Sequence, residues 1–190
     1  GRGKERFDSL ILTIPLPELI KIIKPLPAKI LDSFNRLRWN SIFNLNLGVE
    51  GLCQEGKHWV YFPRKETIFF RAGFFHNFSS NTAPPGKSSL YTEVAYPKNK
   101  PINRERMIKQ ILNDLYRARI LNKDNKVVAL DTNDIKYGYP IYDRYYPRAT
   151  AAIKKFLSSN NVIACGRYGG WQYMSMEDAL LDGKAAASTI

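Results

Sequence analysis

The first half of the chain alternates apolar and polar positions in a way that predicts a sheet. An apolar run over residues 7–14 predicts a buried strand, which Pro15 and Pro17 end before a helical turn at 18–23. Aromatic and β-branched residues then cluster in short segments that Gly, Pro and Asn separate. These segments predict the strands of an antiparallel sheet at residues 41–49, 58–62, 67–75 and 89–96.

The second half of the chain predicts helices between shorter strands. Asn103 is a good N-cap for a helix that extends to residue 121, with Ile108, Ile111 and Leu115 on one face. Further helices are predicted at 147–157 and 176–187, and strands at 127–130, 135–137 and 161–164. The pattern therefore predicts an α+β fold, in which an antiparallel sheet with helices is followed by a strand–turn–helix segment.

Composition excludes several classes of protein. The chain has 190 residues, of which 44% are hydrophobic and 13% aromatic, so it can bury a core and is not typical of disorder. No run of about 18 uncharged apolar residues predicts a membrane span, and no apolar segment near the start predicts a secretory signal. We therefore expect a cytoplasmic protein in which Cys53 and Cys165 stay reduced.

The charge of the chain favours anionic ligands. Lys and Arg number 29 against 17 Asp and Glu, which gives a net charge of +12. The cations are spread along the chain, and their densest stretch at 104–126 contains acids. Since no zinc finger, RRM signature or basic leucine zipper is present, sequence-specific nucleic-acid binding is disfavoured. A solvated basic surface and a site for a phosphate-bearing small molecule both stay open.

Two candidate motifs carry little chemistry. Residues 84–88 (PPGKS) imitate the end of a phosphate-binding P-loop, but Asn81 stands where that motif needs Gly, and the prolines remove backbone donors. The histidines, His58 and His76, lack metal-ligand spacing to Cys or carboxylates and suggest no catalytic triad. Positions on a strand surface or hydrogen-bonded in the core are the better interpretation for both, and no metal site is predicted.

The C-terminal segment is the most informative. The apolar strand at 161–164 runs through Cys165 into Gly166 and Arg167, a glycine–aromatic loop follows at 168–173, and a helix then begins. A glycine turn beside a helix N-terminus can receive an anionic or dipolar ligand. The alternative is a tight connection between a strand and a helix without a ligand.

Several segments carry a family resemblance. Residues 166–173 (GRYGGWQY) resemble the last FAD-contacting segment of UDP-galactopyranose mutases, which share a superfamily with amine oxidases and protoporphyrinogen oxidases. Residues 58–63, followed by 68–72 and 77–79, resemble the mutase segment in which a Tyr and, ten residues on, an Arg reach the nucleotide-sugar diphosphate. Residues 137–140 (YGYP) are similar to the loop with another such Tyr, and 7–16 to the strand that leads into the substrate domain.

The resemblance implies a domain organisation and a cofactor. Residues 1–26 would end an FAD-binding domain, 27–130 would form the substrate-binding domain, and 131–190 would return to the split FAD-binding α/β domain. The G-x-G-x-x-G turn that receives the FAD pyrophosphate is missing from the sequence. The resemblance therefore implies the C-terminal portion of a longer FAD-dependent enzyme, inactive without its N-terminal FAD-binding segment.

The resemblance also implies site residues. No side chain is expected to be catalytic, because the flavin would carry the chemistry while the protein positions the substrate. The implied FAD contacts are Gly166, Arg167, Trp171, Ser175 and Met176, and the implied contacts with a nucleotide-sugar diphosphate are Tyr61, Arg71, Tyr139 and Tyr173.

One departure from the mutase motif keeps other functions open. Glu177 stands where the mutase motif has Asn, and its carboxylate would repel a diphosphate. An oxidoreductase of the amine oxidase or protoporphyrinogen oxidase type is the first alternative, and a non-catalytic basic binding module is the second.

Overall fold

The computed structural model describes residues 3–97 and 100–190. In chain order the strands and helices are β1 (Leu10–Leu12), α1 (Ala28–Asn35), β2 (Trp39–Glu50), β3 (Trp59–Tyr61), β4 (Arg71–Phe74), β5 (Lys87–Pro97), α2 (Arg104–Arg117), β6 (Val127–Pro140), α3 (Tyr146–Ser158), β7 (Val162–Ala164), α4 (Gly166–Gly169) and α5 (Met176–Ala187). A 3-10 helix covers Leu16–Lys21, and two short 3-10 turns precede β5.

The chain divides into two compact units. The sheet unit comprises residues 40–138, and the split unit combines the residues up to 39 with 139–190. The assignment of 1–26 and 131–190 to an FAD-binding domain, and of 27–130 to a substrate-binding domain, stays a prediction. Within the part of the chain that the structure describes, no helix is both long and apolar enough to cross a membrane.

The sheet unit contains a five-stranded sheet in the order β3-β4-β5-β2-β6. The β3–β4, β4–β5 and β5–β2 pairs are antiparallel. Since alternate residues of a strand point to opposite faces, Leu45, Leu47 and Leu90 enter a core to which helix α2 contributes Ile111 and Leu115. The N-cap of α2 is Asn103, as predicted, and its side chain accepts a hydrogen bond from the Arg106 amide.

The split unit is built around a small parallel sheet. β1 pairs with β7 in parallel, with Leu10 opposite Val162 and Leu12 opposite Ala164. Helix α3 buries Ile153 and Leu157. The predicted fold class is therefore confirmed: an antiparallel sheet with helices is accompanied by a small strand–turn–helix segment.

Several elements differ from the sequence-based expectation. Strand β1 is shorter than the apolar run at 7–14, and Phe7 is exposed. The strands predicted at 127–130 and 135–137 form the single strand β6. Helix α1 was not predicted, and Pro27 occupies its N-cap. The first two residues of the glycine–aromatic loop expected at 168–173 belong to one helical turn, α4 (Gly166–Gly169).

Candidate functional site

One face of the five-stranded sheet carries polar and aromatic side chains instead of core residues. We call it the polar face, and it consists of Asn44 and Asn46 on β2, Tyr91 and Glu93 on β5, Arg71 and Gly73 on β4, and Trp59 and Tyr61 on β3. Residues directly opposite one another on neighbouring strands share a face, so the register alone collects this set. The opposite positions, including Leu45, Ala72 and Thr92, are buried.

Arg71 is the central cation of the polar face. Its guanidinium donates hydrogen bonds to the Tyr61 hydroxyl (3.1 Å) and to Glu93 Oε1 (2.5 Å). The rings of Tyr61, Phe70 and Tyr91 lie 5.7–5.9 Å from the guanidinium carbon, within the range of cation–π attraction. The structure therefore brings together Tyr61 and Arg71, the two predicted substrate contacts of this unit, and fixes the orientation of the guanidinium.

Glu93 is the residue of this group that sequence reasoning missed. It lies directly opposite Arg71 in the register of β4 and β5, and the two charged side chains are only 15% and 22% exposed. The alternation of Tyr91 and Glu93 with buried Leu90 and Val94 was a signal that Glu93 faces away from the core. The register, which pairs it with Arg71, depends on residues far apart in sequence.

Trp59 adds an aromatic surface to the polar face. Its ring, about half exposed, stacks on Phe78 with 5.9 Å between ring centroids. Gly73 lies opposite Trp59 in the register of β3 and β4. A Cβ atom at Gly73 would lie 2.1 Å from the ring of Tyr91. A side chain at Gly73 would therefore displace Tyr91 from its place beside Arg71.

The split unit gathers a second group of predicted site residues. The Arg167 guanidinium carbon lies 5.0 Å from the ring centroids of both Tyr139 and Tyr173, and the two rings are 6.1 Å apart. An Arg167 nitrogen also donates to the Met174 carbonyl (3.3 Å). Arg167, predicted to face the flavin, thus shares one cluster with the two tyrosines predicted to contact the diphosphate. We call this the Arg167 cluster.

Gly166 leaves open space beside the backbone of the turn after β7. Its φ of +73° lies in the left-handed region, and no atom lies within 4 Å of the place a Cβ would take. Its amide donates to Asp182 Oδ2 (2.6 Å), a partner on α5 that sequence reasoning missed. Cys165, beside it, is buried, and burial raises the pKa of its thiol.

Trp171 lies in the core of the split unit. Its side chain is buried and meets Trp39 edge to face, with 5.8 Å between ring centroids. The Tyr146 hydroxyl donates to the Trp171 carbonyl (2.5 Å), and burial together with Tyr142 raises the pKa of Tyr146 to about 12. These contacts hold the loop between α4 and α5, and the predicted contact of Trp171 with FAD stays a prediction.

Ser175 and Met176 begin helix α5. Ser175 is the N-cap of a capping box, in which its hydroxyl accepts from the Asp178 amide while Asp178 accepts from the Ser175 amide and hydroxyl. The Ser175 hydrogen bonds lower the pKa of the Asp178 carboxyl. Met176 is almost fully exposed. The first turn of α5 is therefore stabilised by its own carboxylate, and Glu177 adds a second acid there.

The other candidates from the sequence have structural roles or none. Both ring nitrogens of His76 lie within hydrogen-bond distance of backbone carbonyls, those of Ser89 and Cys53, as expected of a satisfied histidine. Residues 84–88 form a turn that leads into β5, closed by a hydrogen bond from the Lys87 amide to the Pro84 carbonyl. Among the residues described, no group of three His, Cys, Asp or Glu side chains could hold a metal ion.

Comparison with known families decides the identity of this fold. The model of the flavin-containing amine oxidoreductases matches residues 1–190. The chain belongs to the flavin-containing amine oxidoreductase family. This confirms the predicted superfamily, and the flavin of the family confirms the predicted class of cofactor, FAD.

Solved structures with the same fold include a mutase and two oxidases. A reduced UDP-galactopyranose mutase is 27% identical with a TM-score of 0.80, covering 88% of this chain and 37% of that one. A putative protoporphyrinogen oxidase from Exiguobacterium sp. 255-15 (15% identical, TM-score 0.72) covers 96% of this chain and 40% of its own. A putrescine oxidase triple mutant is 17% identical with a TM-score of 0.69, and the match covers 95% of this chain and 42% of that one. The chain thus spans less than half the length of each of these three proteins.

The turn after β7 offers a place for the family's flavin. Ligands of parallel α/β sheets bind beyond the carboxyl ends of the strands, and Gly166 lies at that end of β7 with open space at its α-carbon. Arg167 adds a cation at the same turn. In the flavin-containing amine oxidoreductase fold of this chain, the residues present are therefore compatible with a flavin beside Gly166.

Proposed function

We propose that this chain forms part of an FAD-dependent enzyme that binds a nucleotide sugar, with a function similar to that of UDP-galactopyranose mutase. The observation that carries the proposal is the fixed Tyr61–Arg71 pair on the polar face, which matches the predicted diphosphate contacts in residue type and spacing. The similarity to the reduced mutase, which extends over 88% of the chain, supports it.

Arg71 would bind the diphosphate and Tyr61 would orient it. A guanidinium offers two parallel donors to phosphate oxygens, and the Tyr61 hydroxyl can donate a further hydrogen bond. The surrounding rings restrict the Arg71 side chain, so less conformational entropy is lost when a ligand binds. In this proposal Tyr139 and Tyr173 contribute hydroxyl donors to the same ligand class.

The split unit would contact FAD. Gly166 would let the cofactor approach the backbone, and Arg167 would supply a positive charge on the flavin side. Ser175 and Met176 would border the same site, while Trp171 would hold the loop between them. Bound FAD would supply the electron-pair chemistry, and the chain's own residues would bind, orient and shield the substrate.

An oxidoreductase of the amine oxidase or protoporphyrinogen oxidase type is the second candidate. The specific observation in its favour is Glu93, whose carboxylate neutralises Arg71 and would oppose a bound diphosphate. Glu177, at the start of α5, adds another acid next to predicted site residues. The family itself includes oxidoreductases by its description, which supports this candidate equally.

The proposal is tested by titrating UDP and UDP-galactose into the protein at its natural full length. Arg71→Ala is expected to weaken UDP binding by about 2–4 kcal/mol, the usual loss when one partner of a desolvated charge pair is removed. Arg71→Lys should recover only part of this affinity, because an ammonium group cannot reproduce the planar fork. Arg64→Ala, which removes an exposed Arg of the same unit, is the matched control and should bind normally.

An oxygen-uptake assay separates the two candidates. A mutase returns its flavin to the reduced state in each cycle, so turnover should consume no oxygen after an initial reduction. Sustained oxygen uptake with an amine, or unchanged UDP affinity in Arg71→Ala, would contradict nucleotide-sugar binding and favour the oxidoreductase.

A further inference from the structure

Glu93 holds Arg71 through only one of its two carboxylate oxygens. Oε1 accepts the 2.5 Å hydrogen bond from Arg71, and both side chains are largely removed from solvent. An ion pair in such surroundings is stronger than one on an open surface, because fewer waters screen it. A simple anion that approaches Arg71 must therefore compete with a carboxylate that is already in place.

The second oxygen of Glu93 is a buried acceptor. Oε2 is buried and accepts no hydrogen bond from any residue in the described parts of the chain, 3–97 and 100–190. A buried acceptor without a donor is unfavourable, and in native proteins the large majority of buried polar atoms have a hydrogen-bond partner. The polar face thus presents an acceptor directly beside its cation.

The neighbours of Glu93 do not supply the missing donor. Asn44 is directly opposite Glu93 on β2, but its amide donates to the Thr92 carbonyl (3.3 Å), and its oxygen accepts from Asn46 (2.9 Å). On the other side, the Tyr61 hydroxyl accepts from Arg71. A donor for Oε2 can therefore come from a ligand.

We propose that Glu93 determines which ligands the polar face selects, by requiring a hydrogen-bond donor next to an anionic group. A nucleotide sugar meets both requirements, because its phosphates are the anionic group for Arg71 and a hydroxyl of its sugar can donate to Glu93 Oε2. UDP lacks the galactosyl group, and with it the hydroxyl donors next to its terminal phosphate, so a terminal phosphate bound at Arg71 meets the repulsion of Glu93 without this compensation. This inference rests on the proposed function and adds a residue that sets the preference for the sugar-bearing ligand.

The test compares the binding affinities of UDP and UDP-galactose for the protein at its natural full length and for its Glu93→Gln variant. The wild type is expected to bind UDP-galactose about tenfold more tightly than UDP, as one hydrogen bond to a charged acceptor supports. In Glu93→Gln, UDP should bind more tightly than in the wild type, and the ratio between the two ligands should fall about fivefold or more. Glu50→Gln removes an equal charge from the same sheet, beside Lys87, and should leave the ratio unchanged.

Two outcomes would overturn the inference. Equal affinities of the wild type for UDP and UDP-galactose would do so without any variant, and so would a ratio in folded Glu93→Gln that matches Glu50→Gln. Arg71→Ala keeps this result distinct from failure of the proposed function. If Arg71→Ala weakens UDP binding while Glu93→Gln changes nothing, only the role of Glu93 is wrong, whereas no response to either variant contradicts nucleotide-sugar binding as well.

Discussion

Gly169 lies against the backbone of strand β1 in the split unit. A Cβ atom at this position would lie 2.3 Å from the carbonyl oxygen of Leu12, a backbone atom of β1. Backbone cannot swing aside as a flexible side chain does, so Gly169→Ala is expected to lower the free energy of unfolding by about 1–3 kcal/mol. Urea denaturation followed by tryptophan fluorescence measures the change.

Gly183 supplies the matched control for that substitution. It lies within helix α5, and no atom is within 4 Å of the place its Cβ would take. Gly183→Ala should therefore raise the free energy of unfolding by about 0.5–1 kcal/mol, since Ala restricts the unfolded chain and favours the helix. An unchanged urea midpoint for Gly169→Ala would show that β1 can move away from α4.

The residue scale also shows what the sequence could predict of the site. Arg71 and Tyr61 were predicted from a motif that is local in sequence, and the structure pairs them. Glu93 was not predicted, because its contact with Arg71 depends on the register of β5 against β4. Arg167 was predicted to contact FAD and Tyr139 to contact the substrate, since no local pattern in the sequence reveals that their side chains meet.

At the scale of elements, helix α5 depends on its capping box. Ser175→Ala removes the side-chain cap and is expected to destabilise the helix by about 1 kcal/mol. The same substitution removes hydrogen bonds that lower the pKa of Asp178, so that pKa should rise toward its ordinary value. Carboxyl-carbon NMR titration of Asp178 checks this, with Ser188→Ala at the other end of the helix as the control.

The direction of the Asp178 shift also predicts a pH dependence. Because the folded state lowers the pKa of this carboxyl, its contribution to stability is complete at neutral pH. It is lost as the pH falls below the ordinary pKa of Asp and through the folded one. The N-terminal turn of helix α5 should therefore become less stable on acidification, and Ser175→Ala should reduce this acid sensitivity. Amide hydrogen exchange in α5 that does not depend on pH in this range, after correction for intrinsic rates, would contradict the capping role.

Elements with strong periodicity were predicted better than those that depend on tertiary pairing. Helix α5 has the predicted bounds, and β2 and β5 extend the predicted strands by only one to two residues at each end. Strand β1 is limited to three residues, because only Leu10–Leu12 find a partner in β7. Strand β6 was predicted as two pieces, since the polar residues at 131–134 interrupt the apolar pattern without interrupting the strand.

At the scale of the whole molecule, both units leave large apolar side chains exposed. The sheet unit has one continuous buried cluster that joins α2 to the sheet. Outside that cluster the sheet unit exposes Leu52 and Phe78, and the split unit exposes large apolar side chains that include Phe7, Ile22, Met176 and Leu180. Contiguous exposed apolar surface commonly marks an interface. We expect the N-terminal FAD-binding segment of the proposed enzyme to cover these side chains of the split unit.

The small parallel sheet of the split unit predicts how the 190 residues behave when they are produced by themselves. In the described parts of the chain, parallel pairing is limited to the three-residue strands β1 and β7, and the sequence contains no G-x-G-x-x-G turn for the FAD pyrophosphate. We therefore expect weak or no binding of FAD, because only the contacts near Gly166 and Arg167 would be available. Flavin absorbance after purification, and again after titration with FAD, measures this, while near-UV circular dichroism verifies that the chain is folded. Tight stoichiometric binding by the folded chain would mean that the split unit holds FAD without an N-terminal segment, and the proposed division of the flavin site between two parts of a longer enzyme would then be wrong.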